Sequence, residues 1–154
     1  MRLIVLATVC LLASACSIFT RSIERPTADV RDVSVSSAGF SGMTGELYLD
    51  VANPNGFGVP LAGIDWELSV GGARAVTGTV ELSQTIPARG TAPVTTSLTI
   101  DARDAIAVAQ QIASGARSYR IAVRLHFRTP VGPLDVAVQH DGQLSEARGL
   151  LGGL

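Results

Sequence analysis

From about Val30 onward, apolar and polar residues alternate with a period of two, the pattern of strands with one buried face. Val30, Val33 and Val35 open a first strand. In Gly45–Val51, Leu47, Leu49 and Val51 alternate with Glu46, Tyr48 and Asp50. In Ile64–Val70, Ile64, Trp66, Leu68 and Val70 alternate with Asp65, Glu67 and Ser69. Gly71-Gly72 then supplies a two-residue turn that tolerates positive φ, which predicts a hairpin into Arg74–Glu81. Val94, Thr96, Leu98 and Ile100 form a further alternating run. Tyr119, Ile121, Val123, Leu125 and Phe127 form the next, followed by turns at Thr129-Pro130 and Gly132-Pro133 and a last strand through Leu134, Val136 and Val138.

One segment breaks this rhythm. Asp101 is a helix cap, Asp104 sits near the positive end, and Ala105, Ile106, Ala109, Ile112 and Ala113 recur at helical spacing until Gly115. About seven short strands, mostly antiparallel, predict a two-sheet sandwich. The single short helix is expected to cross between the sheets and cover one open end. No repeat of solenoid or propeller period is present.

The N-terminus follows a different pattern. Arg2 precedes an apolar run from Leu3 to Ala15, shorter than the roughly 20 residues that a spanning helix needs and of signal-peptide length. Leu12-Ala13-Ser14-Ala15-Cys16 resembles the bacterial lipobox, in which the cysteine is acylated after cleavage just before it. Cys10 follows bulky Val9 and does not fit that role. An ordinary secretory signal cut after Ala15 and an uncleaved anchor are the competing readings. The lipobox resemblance implies an exported chain held by Cys16, with several acyl chains making the anchoring stable. Ser17 at the next position implies the periplasmic face of the outer membrane, or the cell membrane in a host with a single membrane. The expected organisation is a lipoprotein signal peptide over 1–15, a lipidated N-terminus and tether over 16–28, a sandwich over 29–142 and a glycine- and leucine-rich tail over 143–154.

Composition narrows the function. A chain of 154 residues, 47% hydrophobic and 16% charged, suits one domain with a buried core and is too apolar for a disordered chain. Twelve basic residues against thirteen acidic ones give a net charge of −1, so nothing draws the chain as a whole to nucleic acid. Both of the two cysteines lie in the first sixteen residues, so neither a disulfide-bonded domain nor a four-ligand zinc site is expected.

Between the second and third strands the chain reads Asn53-Pro54-Asn55, then Phe57, Val59, Pro60 and Leu61. Pro54 has no N–H for a ladder and biases Asn53 away from helical angles, so pairing stops here. Asn53 and Asn55 suit a turn, since their side chains bond nearby backbone. This junction and its flanking strands, with the later Ile86-Pro87 and Gly90–Ile100 run, resemble the late-embryogenesis-abundant type 2 family, also called the WHy domain, over about Val30 to Asp141. The resemblance implies an immunoglobulin- or fibronectin type III-like antiparallel β-sandwich without catalysis or cofactor. It also implies protection of client proteins or of the cell envelope during desiccation, cold or other stress. The alternatives are a domain that carries lipid or another apolar ligand, in which Trp66 and Phe57 would line a groove in place of their favoured role in the core, and a scaffold for an envelope complex.

Catalytic patterns are poor. His126 and His140 lack the spacing of a metal-binding pair, no G-x-S-x-G elbow or phosphate loop is present, and Asp65 with Glu67 reads as the polar face of a strand. Arg120, Arg124 and Arg128 share one strand face. They are expected to pair with Asp65 and Glu67 if the two strands are neighbours. Contact of this stripe with anionic lipid headgroups is the functional alternative.

Overall fold

A computed structural model describes residues 23–39, 41–73 and 76–144. The expected signal peptide, Cys10, Cys16 and most of the tail and tether lie outside these residues. Seven strands and one helix follow in the order β1 (Thr27–Gly39), β2 (Gly42–Asn53), β3 (Val59–Val70), β4 (Val76–Ile86), β5 (Gly90–Asp101), α1 (Ala102–Ala113), β6 (Ser118–Thr129) and β7 (Gly132–Gln143). They form a three-stranded sheet, β1-β2-β5, and a four-stranded sheet, β4-β3-β6-β7, with every pairing antiparallel. This is the expected mainly-β sandwich.

The alternating runs supply its core. Leu47, Leu49, Val51, Val94, Leu98 and Ile100 face inward from one sheet, and Ile64, Trp66, Ile121, Val123, Leu125 and Phe127 from the other. Two breaks of parity in the sequence become bulges. Val30 and Val33 cannot share a face at a strict period of two, and an extra residue, Arg31, lets them pair with Leu49 and Leu47. Leu61 and Ile64 are both buried because the β3 register shifts between Leu61 and Gly63. Residues 57–61 and 64–70, of opposite parity, therefore serve one core.

The chain changes sheet three times: at Asn53–Gly58, at Pro87–Arg89, and through α1. The Gly71-Gly72 hairpin forms as expected, with φ of 59° and 76° and a bond of 3.0 Å from Ala73 N to Val70 O. Asp101 caps α1, its carboxylate accepting from Asp104 N at 2.9 Å. At the other end Gly115, with φ 105°, donates to Ile112 O, and Ala116 donates to Gln111 O, which together complete a Schellman stop.

Several boundaries and faces differ from expectation: β2 and β3 are longer than their alternating runs, and β4 continues to Ile86, past the expected Glu81. The inner face of α1 is Ala105 and Val108, with Ile112 half-buried, whereas Ile106 is 59% exposed and Ala109 and Ala113 face outward. A run of small alanines on both faces leaves the inward direction to whichever side meets the sandwich end. The tether ends earlier than expected, since Thr27 and Ala28 are already in β1 and Pro26 is buried. At the C-terminus, Gln143 completes β7 and Leu144 is buried, its N–H bonded to Arg117 O at 2.8 Å.

Candidate functional site

At one end of the sandwich two of the three crossings meet, and Asn53 joins them. Its carboxamide, 2% exposed, donates to Phe57 O at 2.8 Å, Pro87 O at 3.1 Å and Ile86 O at 3.2 Å. Its Oδ1 accepts from the backbone N–H and the side chain of Asn55, each at 3.0 Å. Asn55 in turn accepts from Glu24 N at 2.9 Å and donates to Glu24 O at 2.8 Å, a two-bond clamp on the incoming chain. Its carbonyl accepts from Arg89 N at 2.9 Å. Pro54 stays exposed and forces the corner. Asn-Pro-Asn is thus a buried polar fastener, linking the N-terminal segment to both crossings. The asparagines' partners Glu24, Ile86 and Pro87 are 31 to 34 residues away along the chain, so only the corner itself was legible in the sequence.

The outer face of the four-stranded sheet carries the charged groups. Strands β3 and β6 are neighbours, and Asp65 lies opposite Arg124 as expected. Glu67, however, faces Ala122, and Arg120 pairs instead with Asp141 of β7 at 2.6 Å. Arg128 lies at the far end of β6, opposite Pro133. The three arginines therefore have three different surroundings.

His126, which lacks the spacing of a metal-binding pair, instead joins two carboxylates. Its Nδ1 lies 2.9 Å from Asp135 Oδ1 and its Nε2 2.9 Å from Asp65 Oδ2, while Thr79 donates to Asp65 at 2.8 Å. A row Asp135–His126–Asp65–Thr79 so crosses all four strands. Both ring nitrogens must donate, which favours the imidazolium. The carboxylates of Asp135 and then Asp65 hold the histidine above its ordinary value. His126 and Thr79 hold Asp65 below its own. In the imidazolium form the ring has no lone pair free for a general base or a metal ligand. Among the described residues no group of three or more His, Cys, Asp or Glu could hold a metal ion. His140 tilts against Tyr119, with ring centroids 6.1 Å apart.

Two spaces remain. Beneath α1 at the opposite end lies an apolar cavity of about 50 Å³, lined by Val33, Met43, Ile100, Val108, Tyr119 and Leu144 among others. That is far below the ~300 Å³ of a small-molecule pocket. Trp66 and Phe57 do not line it: Trp66 is 3% exposed in the core, facing Gly78, and Phe57 packs beside the Asn53 corner. A polar cleft of about 400 Å³ lies beside the Gly71-Gly72 turn, bordered by Ser69, Ser118 and the Arg120–Asp141 pair. No described helix is long and apolar enough to cross a membrane.

Comparison with known proteins follows the fold. An Arabidopsis thaliana protein solved in solution superposes with a TM-score of 0.67 at 16% identity, covering 80% of this chain and 83% of that one. A late embryogenesis abundant (LEA) protein gives 0.62 at 22% identity, covering 90% and 82%. A crystal structure from Archaeoglobus fulgidus gives 0.59 at 14%, covering 79% and 95%. Identities this low establish a shared fold. No curated protein sequence matches the chain. The LEA_2 family model, described as late embryogenesis abundant protein, matches residues 48–142. That span includes the Asn53 corner and six of the seven strands in whole or in part, and the chain belongs to the late embryogenesis abundant type 2 family, a membership that supports a non-enzymatic protein.

Proposed function

We propose that this is a lipid-anchored, non-catalytic late embryogenesis abundant protein that protects other proteins or the cell envelope during desiccation, cold or related stress. The family match over residues 48–142 carries the reading. The Leu12–Cys16 lipobox pattern supplies the anchor and the export route. Three acyl chains at Cys16 would make attachment effectively permanent, because two already hold stably at ~0.8 kcal/mol per buried CH₂. Ser17 favours the periplasmic face of the outer membrane. In this reading the folded domain acts as a surface-held spacer and weak binder of damaged clients.

The test is recovery of a labile enzyme after drying or freezing in the presence of this protein. An unrelated globular protein of equal mass is the comparator. Greater recovery with this chain supports protection, and equal recovery removes it. Mass spectrometry of the membrane fraction tests the anchor: residue 16 carries the mass of acyl chains, and an unmodified thiol there overturns that part.

A further inference from the structure

We infer that the sandwich end built around Asn53 and Asn55 is a docking surface for anionic lipid headgroups, formed by Arg25, Arg89 and Arg128 around Val131. This deepens the reading above, which supplies the nearby bilayer, but the surface chemistry stands on the fold.

The segments at this end are 23–26, 54–58, 87–89 and 128–131. They carry three arginines against one acidic residue, Glu24. The opposite end is less one-sided: segments 71–75, 101–104 and 114–118 hold Asp101 and Asp104 against Arg74, Arg103 and Arg117. Of the other described arginines, Arg31 pairs with Asp50 and Arg120 with Asp141, whereas Arg103, Arg117 and Arg124 make no ion pair. Among the described residues Arg25, Arg89 and Arg128 make no ion pair, and Arg25 reaches the carbonyl of Asp135 at 3.4 Å.

Arg89 gives a second, independent indication. It is the only described non-glycine residue with positive φ, at 51°. That conformation is costly for a side chain with a Cβ and is ordinarily left to glycine or asparagine. Here it is imposed by the bond from Arg89 N to Asn55 O, and the guanidinium lies beside Gly56 at the surface. Strain retained to place a charged group on an outer corner points to a use for that group.

The rest of the end suits a headgroup layer. Val131, 81% exposed, is one of two exposed large hydrophobics among the described residues. The other, Ile106, is on α1 at the far end. Pro54, Pro87 and Pro130 are exposed and have no N–H, so less polar backbone must be dehydrated on contact. The chain also enters the domain here, with Glu24 clamped by Asn55. The seven residue-to-residue steps from Cys16 to Ile23 reach at most about 25 Å when extended, at ~3.3–3.6 Å each. A lipid at Cys16 therefore holds this end, and not the α1 end, against the bilayer.

The experiment is flotation of the chain from residue 16 onward, with Cys16→Ser to remove the anchor, on vesicles of phosphatidylethanolamine with phosphatidylglycerol. Phosphatidylcholine vesicles are the comparator. The expected result is salt-sensitive binding to the anionic vesicles, weakened about fivefold by each of Arg25→Gln, Arg89→Gln and Arg128→Gln and on the order of a hundredfold by all three. Val131→Asp weakens it further. Arg103→Gln with Arg117→Gln at the other end leaves it unchanged, and urea midpoints confirm that each variant is folded. Absence of binding, equal binding to both vesicles, or a triple variant that binds like the parent overturns the inference. The mass at residue 16 of the native chain reports on the anchor separately, so the two can fail independently.

Discussion

Asn53 shows how much one side chain can hold. Its two N–H protons are shared among three backbone carbonyls, and its Oδ1 takes both polar groups that Asn55 turns toward it, inside a largely buried corner. Asn53→Ala leaves several of these groups unpaired, at ~1–3 kcal/mol each, so a loss of at least about 3 kcal/mol is expected, read as a lower urea midpoint. Thr96 is the opposite case. Its hydroxyl is buried in β5 without a hydrogen-bond partner, so Thr96→Val removes a desolvated group and raises stability by up to ~1 kcal/mol. Arg89→Gly relieves a left-handed backbone angle, offset partly by the freer unfolded chain. Its midpoint should match or exceed the parent's while its affinity for anionic vesicles drops. The turn at Asn-Pro-Asn was legible because proline and asparagine act on their own backbone. The unusual angle at Arg89 was not, since nothing about an arginine favours it.

At the scale of elements, alternation located six strands and the Gly71-Gly72 turn the seventh, while the bulges emerged only with the strand register. The parity change between Val30 and Val33 is visible in the sequence, and Arg31 is the residue extruded to accommodate it. The helix was legible in its ends but not in its inward side, because Ile106 and Val108 are both plausible core residues until a neighbouring surface selects one. The row across β7, β6, β3 and β4 depends on pairing order and so belongs wholly to the sheet. Its linkage has a definite sign. His126 is raised from 6.5, so its contribution is complete below that value and is lost as pH rises through the raised one. Asp65 is lowered from 3.8, so its contribution is present above that value and is lost as pH falls through the lowered one. The row is therefore strongest between these two ordinary values. Urea unfolding should show the native protein losing up to ~1 kcal/mol on passing into the alkaline range, as suits partly exposed pairs. His126→Gln should lose this dependence.

For the molecule as a whole, stability comes from packing two sheets, with no covalent help in the sandwich: the two cysteines are residues 10 and 16. The unfolding midpoint is accordingly expected to be the same with and without a reductant, and a shift would mean that a cysteine outside the sandwich participates. Antiparallel pairings between strands distant in the chain also predict folding in milliseconds to seconds, slower than a helical bundle of similar size. The sheet order redistributes the surface. Arg120, Arg124 and Arg128 look like one stripe on paper, but Asp141 takes the first, Asp65 faces the second, and the third joins Arg25 and Arg89 at an end of the sandwich. The sequence by itself determined the strands, the helix with its cap, the polar corner and the hydrophobic identity of the core, because these follow from periodicity and from residues that act on their immediate neighbours. Only the tertiary structure decided which charges meet, which side of α1 is covered and which end the arginines share, because these depend on strand order, and strand order arises from burying all the apolar faces at once.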